Sequence, residues 1–535
     1  MIAPTEPHVF VAHADLMRLA CDAWLVPGGN GPGFTWRHAL PPRPWRERPA
    51  DWSQVGGARA HVLADVADDV PIPVLTDITG SNRMEPAWYV DGARDFLRVA
   101  TAELRARRRA PLYGRPRYLL ALPLLGTAGG GAAYWSGEIT ALLLPLLRDE
   151  AHKLATPGEY GVDVVLSLIE GPAWAAAQKA RLDDATAFAG LPQALIEKAD
   201  SLAERARSGG LTIFMGAGVS RPAGLPSWDE LLHALAVDRL PADQLAAFDQ
   251  LSVLDRAALL QRRLPPELAL GTAVAALMRE RSTRYALGQA LLASLPVDEV
   301  VTTNYDALFE KASAVVGRPC ARIPGQPVGR GERFILKMHG CVTRPSSIVL
   351  TREDYLRFQE NRSALAGIVQ ALLLTRHMLF VGFGFTDDNF HRIAHAVRQA
   401  LRGERGESVI KQQPFGTNLV VGGGGLLADL WSDDLDWVTM AEHAPSPAEQ
   451  GRLVEIFLDR LSARAATVTT HLGDERYAGV LNEGEKMLRD RLLQLVADVT
   501  VAEQQTLAFD EVRALMRRLG LQAGSRHERE EDPWP

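Results

Sequence analysis

Four apolar runs in this 535-residue chain end in small or polar residues. Leu211–Met215 runs into Gly216-Ala217-Gly218-Val219-Ser220, and Glu299–Thr303 into Asn304-Tyr305-Asp306. Phe334–Met338 ends in His339-Gly340, and His377–Val381 in Gly382-Phe383-Gly384-Phe385-Thr386-Asp387-Asp388-Asn389. A strand that passes into glycines lets the backbone approach a pyrophosphate, and the N–H groups of a following helical turn then face it. A histidine, with an unperturbed pKa of about 6.5, can accept a proton near neutrality. Each piece also has a plainer meaning: a tight turn, a helix cap, a hydrogen-bonded core histidine. Four such ends in one α/β layer favour a shared edge, because open parallel sheets bind ligands outside the carboxyl ends of their strands.

The elements that must position these residues follow from pattern. A helix over Leu195–Ala206, stopped by Gly209-Gly210, leads into the Leu211 strand. Ser227 or Asp229 can cap a helix through Leu235. Helical segments then dominate (Pro241–Leu251, Asp255–Arg262, Pro266–Arg279, Thr283–Ser294). Ser347–Leu350 is expected as a short strand, and Thr351 or Glu353–Arg362 as a helix start. Leu419–Val421 and Asp436–Thr439 are expected as further strands.

Upstream, Val9–Ala12, Ala23–Val26, His61–Val66, Ile72–Leu75, Tyr118–Leu122 and Val162–Ile169 are strand candidates. Asp91–Arg108 presents Ala93, Phe96, Leu97, Ala100 and Leu104 on one helical face. Glycine loops follow two of the strands (Pro27–Gly33, Gly126–Gly131), which suggests a ligand crevice or two structural turns. The tail, from Pro445, is helical over Glu449–Ala465 and Glu483–Leu519. Its apolar stripes suit a cap on the second domain or a self-association surface. Ser525–Pro535 is expected to be disordered.

The length calls for two or three domains: 1–191, 195–444 and 445–535. A hydrophobic content of 47% and a charged content of 23% suit a soluble globular protein, and a net charge of −7 gives no footprint for nucleic acid. With Cys21, Cys320 and Cys341 alone there is no disulfide framework and no cysteine zinc site. No metal is expected. No run has membrane-spanning length and no signal segment is evident, so a cytoplasmic protein is expected.

GAGVSRPAGLPSW, TTNYD, KMHG and VGFGFTDDN, in that order, resemble the sirtuin family, and more closely its bacterial branch that hydrolyses NAD in phage defence. The resemblance covers about 250 residues. It implies a Rossmann-type parallel sheet with NAD as the substrate. It places Gly216, Ala217, Gly218 and Ser220 at the phosphate-binding turn, and Asn304 and Asp306 at ribose and nicotinamide contacts. His339 falls at the general base and Gly382 at a later phosphate or ribose loop. The four-cysteine zinc ribbon of protein-deacylating sirtuins is absent; helices between Leu235 and Leu295 stand in its place.

The first domain is similar to a macrodomain. Asp15 falls at the adenine-holding aspartate, Asn30 at the ribose-facing asparagine, and Pro123–Gly131 at the phosphate-holding loop. This implies a binding or sensing role for an ADP-ribose-like ligand. The expected whole is an α/β NAD glycohydrolase, gated by its first domain and forming a homo-oligomer. Protein deacylation, ADP-ribosyl transfer and non-catalytic NAD or ADP-ribose sensing are the alternatives.

Overall fold

The computed structural model describes residues 6–521 apart from 30, 55, 79–84, 128–129, 266, 282 and 403–413. Asn30, the first residue of the Pro266–Arg279 segment and Ser525–Pro535 lie outside the described residues. Thirteen strands form two sheets among those described.

The first sheet contains β1 (Val9–His13), β2 (Ala23–Gly28), β3 (Ala60–Val62), β4 (Ile72–Asp77), β5 (Tyr118–Leu122) and β6 (Val162–Leu168). Its order is β1-β6-β5-β2-β4-β3, parallel except for β3, which runs antiparallel to β4. Every residue of β2, β4, β5 and β6 is buried, without alternation. Sheets covered by helices on both faces demand this pattern. The helices Pro86–Ala106 and Ser136–Lys153 bury Phe96, Leu97, Ile139 and Leu143 against one face.

The second sheet contains β7 (Leu211–Met215), β8 (Glu299–Thr302), β9 (Ala321–Ile323), β10 (Phe334–Lys337), β11 (His377–Val381), β12 (Gly416–Val420) and β13 (Leu435–Thr439). All pairs are parallel, in the order β13-β12-β11-β7-β8-β10-β9. The chain builds outward from β7 through β8 and β10, then crosses back to β11 and proceeds the other way. The order therefore reverses between β7 and β11, the topological switch point at which doubly wound sheets bind ligands.

Three details depart from expectation. Ser347–Leu350 is not a strand: Pro345–Ser347 forms a 3₁₀ turn, and the Val349 N–H donates to the His339 carbonyl at 2.9 Å. β9 was not anticipated; its three residues are half-buried and carry no apolar run. The Glu483–Leu519 helix breaks into Glu483–Asp498, Val501–Gln504 and Leu507–Arg518, because Thr500 and Thr506 each cap a new start.

One helix joins the two sheets. Pro447–Ala465, capped by Ser446, packs against Gln193–Arg207, Leu287–Ser294 and β1. A single buried cluster runs from Phe10 and Trp24 through Leu195 and Ile213 to Phe457 and Leu461. No helix of the described residues is long and apolar enough to cross a membrane.

Candidate active site

At the carboxyl edge of the second sheet the strands β11, β7, β8 and β10 end side by side. They present Gly382, the Gly216–Ser220 turn, Asn304-Tyr305-Asp306 and His339, in that spatial order. With strands about 4.8 Å apart, the row from β11 to β10 spans roughly 14 Å.

The glycines are required by contact. The Gly216 N–H donates to the Val381 carbonyl and the Gly218 N–H to the Gly382 carbonyl, both at 2.9 Å. A Cβ on Gly216 would lie 2.4 Å from the Gly382 oxygen. Gly382 has φ +65°, and a Cβ there would lie 2.5 Å from the Val219 backbone nitrogen. The expectation that this turn offers its N–H groups to a phosphate is thus corrected at both glycines, whose N–H groups are bound by β11. Nor does an α-helix follow β7 directly: Ala217–Val219 and Arg221–Ala223 are 3₁₀ turns, and the first α-helix starts at Trp228. What the glycines supply is backbone surface without side chains.

Ser220, buried behind the turn, is a hub. Its hydroxyl donates to Asp306 Oδ2 at 2.9 Å and accepts from Gln289 Nε2 at 3.1 Å and Asn304 Nδ2 at 3.2 Å. Asn304 Nδ2 also donates to the Gly216 carbonyl at 2.9 Å. Asp306 Oδ1 accepts the Leu308 N–H at 3.0 Å, so this carboxylate both caps a helix and anchors the turn. Lys337 reaches the Asp306 carbonyl and lies 3.2 Å from Glu310. Asn304 remains half-exposed and Asp306 is buried.

His339 is 1% exposed. The rings of Trp228, Tyr355 and Phe358 surround it at centroid distances of 6.0, 5.5 and 6.2 Å, and Trp228 stacks on Tyr305. Its Nε2 lies 3.1 Å from Asp387 Oδ2, yet neither ring nitrogen makes a hydrogen bond among the described residues. The Tyr355 hydroxyl donates to the same Asp387 oxygen at 2.9 Å. Burial lowers the His339 pKa; Asp387 opposes that shift and Arg362 reinforces it. The imidazole is therefore held neutral, the form that accepts a proton.

The structure thus brings Gly216, Ala217, Gly218, Ser220, Asn304, Asp306 and Gly382 to one place, with His339 beside them. Gln289, Asp387 and Trp228 were not singled out from sequence. Asp387 alone carried a signal, as an acid in the polar stretch after β11. In the first unit, Asp15 caps Leu16–Arg18, and its backbone N–H donates to the Tyr285 hydroxyl at 2.7 Å. No group of acids, histidines and cysteines able to hold a metal occurs among the described residues.

Residues 298–415, which carry β8 to β11 of this sheet, match the family model of a SIR2-like domain. Curated relatives extend the likeness. The chain is 32% identical over 208 residues to the NAD(+) hydrolase ThsA of Enterococcus faecium, covering 37% of this chain and 42% of that protein. It is 30% identical over 202 residues to the NAD(+) hydrolase ThsA of Cytobacillus dafuensis, covering 37% and 39%. It is also 24% identical over 218 residues to defense-associated sirtuin 2 of Bacillus subtilis, covering 40% and 22%. The chain therefore spans about two fifths of the length of the NAD(+) hydrolases it matches.

Proposed function

We propose that this chain is an NAD glycohydrolase that releases nicotinamide and ADP-ribose, acting as a gated effector of anti-phage defence by NAD depletion. The observation that carries this is the row of Gly382, Gly216–Ser220, Asn304 and His339 along the switch point of a SIR2-like domain whose relatives are NAD hydrolases. The nicotinamide–ribose bond breaks through an oxocarbenium-like state, and its leaving group departs neutral from a cationic pyridinium. No general acid is needed. The diphosphate lies against the side-chain-free turn. Asn304 holds a ribose hydroxyl or the attacking water. Asp306 bonds the carboxamide once its present partners yield. His339 takes the proton from water, a role worth roughly 10²–10⁴-fold.

Protein deacylation is disfavoured because three cysteines cannot build the four-cysteine zinc ribbon of protein-deacylating sirtuins. The test is release of nicotinamide from NAD by the purified chain, alongside His339→Ala and Asn304→Ala. Both variants should lose turnover and keep the native circular dichroism spectrum; full activity in both would refute the assignment.

Residues 1–191 are proposed as a macrodomain-like regulatory unit for an ADP-ribose-like ligand, 195–444 as the catalytic unit, and 445–535 as a helical region. The order β1-β6-β5-β2-β4-β3, with its single antiparallel edge, supports the first of these. The Glu483–Asp498 and Leu507–Arg518 helices leave Met487, Leu488, Leu495 and Leu507 exposed, which supports a homo-oligomer. Sedimentation of the whole chain tests this.

A further inference from the structure

We propose that the first unit completes the nucleotide crevice and that Tyr113, a residue outside the SIR2-like domain, positions the adenosine half of NAD. This rests on the crevice being the NAD site. The switch point divides the edge. Asn304, Asp306 and His339 stand on the β8 and β10 side. On the β11 and β12 side the edge opens into a cavity of about 770 Å³, bordered by Gly218, Gly382, Asn418 and Trp437. That volume is in the range of small-molecule sites. A dinucleotide that crosses at Gly216 and Gly382, with its reacting ribose toward His339, must send its other nucleoside into this cavity.

The far wall of the cavity does not come from the second sheet. The Pro447–Ala465 helix forms one part, and the turn Tyr113–Pro116, which enters β5, forms another. The turn is held firmly. The Leu112 N–H donates to Asp22 Oδ1 at 2.7 Å. Arg115 Nη1 donates to Glu455 Oε1 at 2.8 Å, and both side chains are 8% exposed.

Tyr113 itself has φ +57°, a conformation that a non-glycine residue keeps only where its surroundings impose it. Its ring lies against Gly224, where a Cβ would come within 2.5 Å of the ring edge. The ring is nonetheless 37% exposed and borders the cavity. An aromatic face fixed by a strained backbone at a nucleoside-sized cavity is a stacking surface for a base. Because the same turn is built by the first unit, the position of that unit sets the shape of the nucleotide pocket.

The test uses the full-length chain with Tyr113→Asn and Tyr113→Phe. Asparagine tolerates the left-handed backbone and removes the ring; phenylalanine keeps the ring. NAD turnover gives KM and kcat, and calorimetry gives the affinity for ADP, which lacks the reacting ribose. Tyr113→Asn should raise KM for NAD about tenfold and weaken ADP by the same factor, with kcat held, as expected for one lost base stack. Tyr113→Phe should recover both. An unchanged KM and ADP affinity in Tyr113→Asn overturns the proposal. So does a fall confined to kcat, which would mark a purely structural role. If the unsubstituted chain neither binds ADP nor turns over NAD, the NAD reading of the crevice itself fails, and this inference with it.

Discussion

At the scale of residues the chemistry rests on an almost fully buried histidine. Among the described residues neither buried ring nitrogen of His339 has a hydrogen-bond partner, and Asp387 lies beside one of them. Burial lowers its pKa, so the imidazole takes up its proton only at more acidic pH than an ordinary histidine. If His339 is the base, the acid limb of kcat/KM for NAD should have its inflection below the 6.5 of an ordinary histidine. An inflection at or above pH 7 would place the base elsewhere. Asp387→Asn removes the one nearby charge that favours the imidazolium. The acid limb should then move to still lower pH, while the maximal rate drops because the growing positive charge loses its partner. A profile that moves upward would contradict this.

At the scale of elements the crevice depends on two strands approaching within backbone contact. Gly382→Ala adds a left-handed alanine, costing about 1–2 kcal/mol, and a clash with the Val219 backbone of order 1–3 kcal/mol. Urea unfolding should show a loss of about 2–5 kcal/mol. Gly423→Ala has open space around its Cβ and should stay within about 0.5 kcal/mol of the parent. Equal stability of the two variants would remove the close-packing argument. These glycines were legible in the sequence because a buried parallel strand is a continuous apolar run and the break in it is abrupt. The destination of the Gly216 and Gly218 N–H groups was not, since their acceptors, Val381 and Gly382, are remote in sequence and reveal themselves only when β11 pairs with β7. Ser347–Leu350 looked like a strand because it ends in three apolar residues; in place of a strand ladder, its backbone meets the His339 carbonyl, the Tyr305 hydroxyl and the Asp354 carboxylate. Gln289 and Trp228 have residue types that imply no role until Ser220 and His339 are seen beside them.

At the scale of the molecule, buried ion pairs fasten the first sheet to the helix that walls the crevice. Arg452 donates to both oxygens of Asp163 at 2.6 and 2.8 Å, and Arg181 and His8 both reach Asp459. Burial by itself would raise the Asp163 pKa, but Arg452, then Arg117 and Arg115, bring it down to about 2. Asp163→Ala would leave Arg452 buried without its carboxylate and should cost about 3–5 kcal/mol.

Because one apolar cluster also spans both sheets, the chain should unfold in a single transition that this substitution moves as a whole. Two separated transitions, with only one displaced, would show independent units. The pH dependence follows from the same burial. His8, His13, His61, His339 and His471 have pKa values lowered by burial, and His377 is lowered to about 4. Each binds a proton more readily when unfolded, so stability must fall as pH drops through about 6.5 toward the folded values. The depressed carboxylates act lower. Their contribution is intact above the unfolded value of about 3.9 and is lost only as pH approaches the folded one, about 2 for Asp163. Melting at pH 7.5 and at pH 5 tests the histidines, against which Asp22 and Asp95, whose pKa values burial raises, act in the opposite direction. The midpoint should be lower at pH 5, and His377→Gln, which removes an imidazole lowered to about 4, should narrow the gap. A gap that His377→Gln leaves unchanged would mean that this imidazole is not held neutral by the fold.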